Sequence, residues 1–177
     1  MSFLLISDKG VVNLNKGRGE AMILSKSCIY GIQAAIYVAA HDADGYVSIN
    51  QISSELQISF HFLTKVLQQL TQDGVMNSYR GPKGGVALAR QSSDITLYDL
   101  ISSIDGTSIF TECMLGLPGC GHAEPCPAHD HWTKLRVELT AIAKRLTLKD
   151  LGDKASELNV RLSKEFSYAS SQTNSTK

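Results

Sequence analysis

Apolar residues recur at intervals of three and four along the first half of the chain, a spacing that places side chains on one face of an α-helix. Three stretches follow this pattern, at residues 24–40, 49–56 and 60–73. Ser48 and Ser59 stand where the second and third helices would be capped, and Gly74 stands where the third would end. The first half of the chain is therefore predicted to contain three amphipathic helices.

The second and third predicted helices are separated by a turn of about three residues, which is typical of a helix-turn-helix motif. The polar face of the third helix offers amide, hydroxyl and basic groups, with no carboxylate before Asp73. Such groups bind base edges and phosphates, whereas a generic surface helix more often alternates Glu with Lys. The pattern favours a recognition helix over an ordinary solvated face.

Two short strands are predicted next, at residues 75–79 and 86–88, joined by a glycine-rich link that carries Arg80 and Lys83. A hairpin directly after a helix-turn-helix is the wing of a winged-helix domain. Its two cations suit a minor groove or phosphates, and its glycines allow a close approach to the duplex. A nucleotide-binding loop is set aside, because the link lacks a Lys-Ser/Thr ending and no helix follows it.

A fourth helix is predicted at residues 97–104, where Thr96 and Asp99 have the spacing of a capping box. Beyond residue 131, five apolar residues follow at intervals of three and four, as in a coiled-coil seam: Trp132, Leu135, Leu139, Ile142 and Leu146. The stripe either packs on its own domain or pairs two chains. Beside a DNA-binding module it favours a homodimer that reads a palindromic operator. A weaker helix is expected to continue over residues 147–164.

Three cysteines and three histidines lie within residues 113–131, in a segment broken by Gly and Pro. Thiolates and imidazoles are ligands for iron–sulfur clusters and for zinc, and three thiolates with one imidazole would satisfy either. Zinc knuckles usually use closer cysteine pairs, which favours the cluster. A third alternative is a metal-free switch by thiol–disulfide exchange. Cys28 lies on the apolar stripe of the first helix, so it is expected to be a core residue rather than a ligand.

Composition adds few constraints to this picture. The 177 residues are 43% hydrophobic and 19% charged, which describes a globular chain with one main domain. The formal net charge is zero, so any basic DNA-binding surface must be local. No apolar run approaches the roughly 20 residues that span a bilayer, and we expect a cytoplasmic protein that does not bind membranes. No nucleophile–base pair suggests an enzyme.

The expected organisation has five segments: an unstructured extension (1–21), a winged-helix DNA-binding domain (22–106), a cysteine-rich loop (107–131), a dimerisation helix with its following segment (132–166) and an unstructured tail (167–177). Met22 directly precedes the first helix and is expected to be the biological start. The intact mass of protein made from the native gene tests this, since a product that begins at Met1 would contradict it.

Several motifs form a specific combination: Leu24-Ser-Lys-Ser-Cys28-Ile-Tyr30-Gly-Ile-Gln-Ala34, Ile58-Ser59, Phe62-Leu63, Leu67, Ser78-Tyr-Arg80-Gly-Pro82-x-Gly84-Gly85 and the cysteine triplet. From residue 22 to about residue 146, the chain resembles the Rrf2 family of winged-helix transcription regulators. Its members include an iron–sulfur cluster regulator and a nitric-oxide-sensitive repressor. The resemblance implies a mainly α fold with a small β-wing, and a homodimer whose DNA-binding heads are joined by long crossing helices.

The resemblance also implies a cluster in the loop before the long helix, with four ligands: Cys113, Cys120, Cys126 and His129. The cluster regulator uses a His three residues after its last Cys, which matches His129. The nitric-oxide sensor uses a carboxylate from the partner's first helix, but Ile29 occupies that position and cannot coordinate. His122 and His131 are weaker alternatives. A [2Fe–2S] cluster is favoured over [4Fe–4S], with zinc as the alternative metal.

The DNA contacts implied by the resemblance are on the recognition helix and in the wing: His61, Thr64, Lys65, Arg80, Gly81 and Pro82. To these we add Lys83 in the wing and three residues at helix starts: Ser25, Lys26 and Ser59. Ordinary capping is the alternative at the first helix. Several relatives carry an acidic residue at the position of Thr64 that helps to select the operator. The operator sequence is therefore not predicted.

The predicted function is a homodimeric transcription regulator that senses redox state, nitric oxide or iron–sulfur status through the cluster. The alternative is a winged-helix repressor with a structural zinc ion or a cluster-free thiol switch.

Overall fold

A computed structural model describes residues 23–41, 45–81, 84–118, 121 and 124–157. Several predictions fall outside these residues: the N-terminal extension, the start at Met22, the C-terminal tail, and the site residues Pro82, Lys83, Cys120 and His122. The described part of the chain forms seven α-helices and one two-stranded antiparallel sheet. In chain order these are α1 (Lys26–Ala40), α2 (Ile49–Leu56), α3 (Phe60–Gln72), β1 (Met76–Tyr79), β2 (Gly85–Leu88), α4 (Leu97–Ile104), α5 (Ser108–Thr111), α6 (His129–Arg145) and α7 (Leu148–Glu157).

The main hydrophobic core lies beneath α1, which contacts α2, α3, α4, β2 and α7. Ala34, Ala35 and Val38 of α1 are fully buried there because small and β-branched side chains allow neighbouring helices to approach closely. Leu63, Leu67 and Leu70 bring the apolar face of α3 into the same core. The core thus holds α3 so that its opposite, polar face is exposed.

The wing is an antiparallel hairpin whose register runs from the Met76–Leu88 pair to the Tyr79–Gly85 pair. On the other side of β2, Val47 and Val86 exchange backbone hydrogen bonds of 2.8 and 2.9 Å. This bridge anchors the wing to the segment before α2. The predicted mainly α fold with a small β-wing is confirmed.

A helix follows residue 146, as predicted, but it is a separate helix rather than a continuation of α6. Leu146 is extended, and Thr147 starts a separate helix by a capping box with Asp150, in which each backbone N–H donates to the other residue's side chain. The Leu97 N–H donates to the Leu146 carbonyl, and the Leu148 N–H donates to that of Ile95, so the break is tied to the start of α4. Fully buried Leu148 then directs α7 back onto α1.

A second, smaller core joins α1, α4, α5 and α6 around Cys28, Ile101, Phe110 and Ala143. The predicted burial of Cys28 is confirmed, since none of its surface is exposed. The long helix α6 begins at His129, before the predicted first residue Trp132. Among the described helices, none has the length and apolar composition needed to cross a membrane.

Candidate functional site

The exposed face of α3 presents the side chains that the sequence predicted for DNA contact. His61 and Lys65 are exposed, and Thr64 is half-buried with its hydroxyl donating 2.8 Å to the Phe60 carbonyl oxygen. The Thr64 oxygen therefore remains available as an acceptor. Ser59 is the N-cap residue of α3 and is exposed, but its side chain makes no capping hydrogen bond.

A groove of about 440 Å³ separates α3 and the start of α2 from the wing. Thr64, Gln68 and Gln72 line its α3 side, and Tyr79 and Arg80 line its wing side. We call it the wing groove. It brings the predicted residues Thr64, Arg80 and Gly81 together, whereas His61 and Lys65 do not line it.

The lining residues that were not among the predicted DNA contacts include three with amide side chains: Asn50, Gln68 and Gln72. Gln68 and Gln72 follow Thr64 at intervals of four residues, which places all three on one helical face. This spacing was the available signal. Asn50 contributes through tertiary packing of α2 against α3, which the local pattern does not reveal.

The wing is constrained where it begins. Tyr79, the last residue of β1, packs its ring against Tyr46 with centroids 5.6 Å apart, and both rings are exposed. The Gly84 N–H donates 2.8 Å to the Gly81 carbonyl, and Gly81 has φ of 134°, a conformation suited to glycine. Arg80 is therefore held between a tight turn and an aromatic pair, with its side chain exposed.

Ser25 is the N-cap residue of α1, but its polar groups are already engaged by Asp105 at the end of α4. The Ser25 N–H donates 2.8 Å and its hydroxyl 2.5 Å to the two Asp105 carboxylate oxygens. The same hydroxyl accepts a bond from the Cys28 N–H at 3.1 Å. A DNA phosphate at Ser25 would have to displace these bonds and meet the Asp105 charge, whereas the neighbouring Lys26 is exposed and unobstructed by them.

The cysteine-containing segment between α5 and α6, residues 112–128, brings two of the predicted ligands together; we call it the sensor loop after its predicted role. The Sγ atoms of Cys113 and Cys126 are 3.5 Å apart. Two thiolates bound to one tetrahedral metal at about 2.3 Å lie about 3.8 Å apart, so this separation fits a shared metal ion. It is also far longer than a disulfide bond of about 2 Å.

His129, the predicted fourth ligand, follows Cys126 by three residues in the chain, and its side chain is largely buried. It is the first residue of α6 and is 9% exposed, and its backbone N–H donates 2.9 Å to the Cys126 carbonyl oxygen. Cys126 is 8% exposed. Within the described residues, no group of three or more His, Cys, Asp or Glu side chains is placed to hold a metal. The third predicted cysteine, Cys120, lies outside those residues.

The predicted dimer seam on α6 is divided between two environments. Leu139 packs into the second core, and the Trp132 indole N–H donates 2.7 Å to the Glu112 carbonyl of its own chain. Leu135 and Ile142 remain exposed, at 53% and 37%. Leu146 lies past the end of the helix. The described chain therefore leaves Leu135 and Ile142, the second and fourth seam residues, on the surface.

Comparisons with known proteins give a consistent family. A family profile described as Rrf2, iron-dependent transcriptional regulator, matches residues 24–154, from before α1 into α7. The HTH-type transcriptional regulator IscR of Klebsiella pneumoniae is 31% identical over 139 residues, which cover 78% of this chain and 85% of that protein.

Two solved structures share the fold. CymR of B. subtilis, described as the global cysteine regulator, superposes with a TM-score of 0.65 at 25% identity, over 75% of this chain and 98% of that chain. T. potens IscR superposes with a TM-score of 0.63 at 26% identity, over 79% of this chain and 93% of that chain.

Proposed function

Because the chain belongs to the Rrf2 family of transcriptional regulators, we propose that it controls transcription in response to an iron–sulfur cluster held by the sensor loop. It is a DNA-binding regulator rather than an enzyme, as its relatives are. The observation that carries the proposal is the pair of sulfur atoms 3.5 Å apart in a loop that leads directly into α6. A cytoplasmic location remains a prediction.

The DNA-binding surface combines the exposed face of α3 with the wing across the wing groove. His61, Lys65 and Arg80 supply the basic groups, while Gln68 and Gln72 supply amides that suit base edges. We assign the α3 face to the major groove and Arg80 to the adjacent minor groove or its phosphates. A homodimer would present this surface twice to a palindromic operator.

Cys113, Cys126 and His129 would hold the cluster together with Cys120, and the donor chemistry suits it. When bound, a cluster supplies a group whose integrity responds to oxidants, nitric oxide and iron supply. We favour [2Fe–2S] over [4Fe–4S]. A zinc ion in the same ligand set is the second candidate, because the sulfur separation fits zinc equally well.

The sensor loop can influence DNA binding because α6 begins at its end. A change in the order of the loop would shift α6, and in a homodimer the angle of α6 sets the separation of the two recognition helices. The regulatory step is therefore a population shift between two arrangements of the dimer.

Purification without oxygen, followed by an ultraviolet–visible spectrum and iron, sulfide and zinc analysis, tests the cluster. Visible charge-transfer bands with matching iron and sulfide support the proposal. A colourless protein that carries zinc would replace it with the structural-zinc alternative. A colourless, metal-free protein that takes up neither iron and sulfide nor zinc on reconstitution would leave only the thiol switch.

Operator binding tests the regulatory surface. Arg80→Ala should weaken binding to DNA selected from a random pool by about 1–3 kcal/mol if Arg80 reads a base. Lys154→Ala on α7 is the matched control, since it removes the same charge away from the wing groove. Cys126→Ala should change the affinity as much as cluster removal does in the wild type. Equal affinities of the holo protein and Cys126→Ala would refute the coupling.

A further inference from the structure

The end of α5 is bound to α6 by two side chains that donate to backbone carbonyls. The Trp132 Nε1–H donates 2.7 Å to the Glu112 carbonyl oxygen. Arg136 Nη1 donates to that same oxygen at 3.2 Å and also to the Thr111 carbonyl oxygen. Since these two donors are four residues apart, they lie on the same face of α6.

These bonds satisfy carbonyl groups that the short helix α5 leaves without intrahelical partners at its C-terminus. The guanidinium also brings a positive charge to the negative end of that helix. Glu112 is followed directly by Cys113, so the contact determines where the first thiol of the sensor loop begins. At the other end of the loop, the backbone N–H of His129, in the first turn of α6, donates to the Cys126 carbonyl oxygen.

Hydrogen bonds thus tie the backbone at or beside each cysteine to the N-terminal turns of a single helix, α6. Hydrophobic packing of α5 on α6 alone would leave the loop backbone free to rotate about the apolar contact, because such packing is not directional. Hydrogen bonds from an indole and a guanidinium are directional, and they act on the residue next to the thiol.

We propose that Trp132 and Arg136 are positioning residues for the sensor loop: they hold the Cys113 backbone on α6 so that its thiol stays beside that of Cys126. The expected consequence for metal affinity rests on the proposed function, since it requires the loop to bind a metal. The placement of the two thiols does not, and it is measured separately. In this arrangement a shift of α6 and a change in thiol geometry are one event.

The metal test uses cobalt(II) alone, added to reduced, metal-free full-length protein without oxygen. Thiolate-to-cobalt charge transfer reports binding. Trp132→Phe keeps an aromatic ring but removes the N–H donor, and Arg136→Gln removes the charged fork; each should weaken cobalt binding by about 10–100-fold. Arg136→Lys retains a charged donor and should recover part of the loss. Lys134→Gln, on the opposite face of α6, should bind cobalt as the wild type does.

The thiol test needs no metal. In a Cys120→Ser background, diamide oxidises the thiols of Cys113 and Cys126 to one disulfide and is itself reduced to the hydrazine, taking up both hydrogens. Because ring closure depends on how the two thiols are held, Trp132→Phe and Arg136→Gln should each form the disulfide about tenfold more slowly than the wild type. Mass spectrometry after alkylation follows the reaction. Arg136→Lys again provides the rescue and Lys134→Gln the control.

The two tests separate the possible failures. Closure at the wild-type rate in Trp132→Phe and Arg136→Gln overturns the positioning role, whatever metal binds. The positioning role is also overturned if Arg136→Gln forms the disulfide more slowly, has a lowered thermal midpoint, and is not rescued by Arg136→Lys. The residues would then be merely structural. Slower closure with a wild-type midpoint supports it. A wild-type protein that binds neither cobalt nor a cluster overturns the proposed metal site. The rates of disulfide formation still decide whether Trp132 and Arg136 position the two thiols.

Discussion

The described cysteines occupy two different environments, a hydrophobic core and the sensor loop. Cys28 is fully buried between α1, α4, α5 and α6. Its burial, followed by the nearby Asp105 carboxylate, raises the pKa of the thiol from 9.0 to about 12. Cys113 and Cys126 instead lie in the sensor loop with sulfur atoms 3.5 Å apart. Since the thiolate is the reactive and metal-binding form, Cys28 is expected to remain inert at neutral pH.

This pKa shift predicts a stability change at alkaline pH. Above pH 9 the unfolded chain releases the Cys28 proton while the folded chain retains it up to pH about 12. The free energy of unfolding should therefore fall as pH rises, by up to about 1.4 kcal/mol per unit from this group. Cys28→Ala should lack this component. Urea unfolding of both proteins at pH 8 and pH 10.5 measures it, and a wild-type-minus-variant difference that is independent of pH would contradict it.

At the scale of elements, the wing depends on a backbone approach that only glycine allows. A Cβ atom on Gly85 would lie 2.1 Å from the Val47 carbonyl oxygen, and one on Gly84 would lie 2.5 Å from that of Tyr79. The first contact involves the bridge between Val47 and Val86 that holds β2 to the domain. The wing glycines, which were predicted to allow a close approach to the duplex, therefore also have a packing role at the base of the wing.

Gly85→Ala should consequently destabilise the protein and detach the wing. The methyl group cannot be accommodated without breaking the Val47–Val86 bonds, and overpacking of this kind costs about 1–3 kcal/mol. Thermal unfolding measures the loss, and operator binding should weaken with it. Ala87→Ser, on the same strand at a half-buried position, is the control. A thermal midpoint for Gly85→Ala equal to that of the control would show that the backbone approach is unimportant.

At the scale of the whole molecule, the single chain buries only some of the apolar side chains of α6. Its inner face packs on the second core through Leu139 and Ala143. Leu135 and Ile142 lie seven residues apart on one face of the helix and remain exposed, at 53% and 37%. α7 returns to α1 instead of extending α6, so the long helix stops at Arg145. The resulting exposed apolar surface on α6 is available to a second copy of the chain.

The homodimer prediction can be tested on this face. Leu135→Glu with Ile142→Glu should convert a dimer to a folded monomer, because both side chains are exposed in the single chain and their replacement leaves its core intact. Light scattering during gel filtration gives the mass. Glu138→Gln, at an exposed position between them, is the control. A double variant that keeps the dimeric mass would place the interface elsewhere, and a monomeric wild type would contradict the homodimer itself.

Local sequence patterns were enough to predict α1 to α4 and the wing. Their signals act over a few residues: apolar spacing on α3, the glycine at position 74, and the Thr96–Asp99 capping box, whose reciprocal bonds the structure contains. A second Thr-x-x-Asp pair at Thr147 and Asp150 was the overlooked signal for the end of α6. Its capping role competes with an apolar seam that runs through Leu146, so the local pattern predicted one continuous helix where the structure has two.

The sequence by itself also determined the family, because the family motifs depend on residue type and spacing. The ligand set of the sensor loop stays a prediction. Tertiary structure alone decided which side of α6 faces its own chain, how Trp132 and Arg136 hold the residue before Cys113, and that Ser25 is engaged by Asp105. Those contacts join residues 20 to 80 positions apart. No local periodicity encodes them, because they depend on how packed helices bring distant backbone groups within hydrogen-bonding distance.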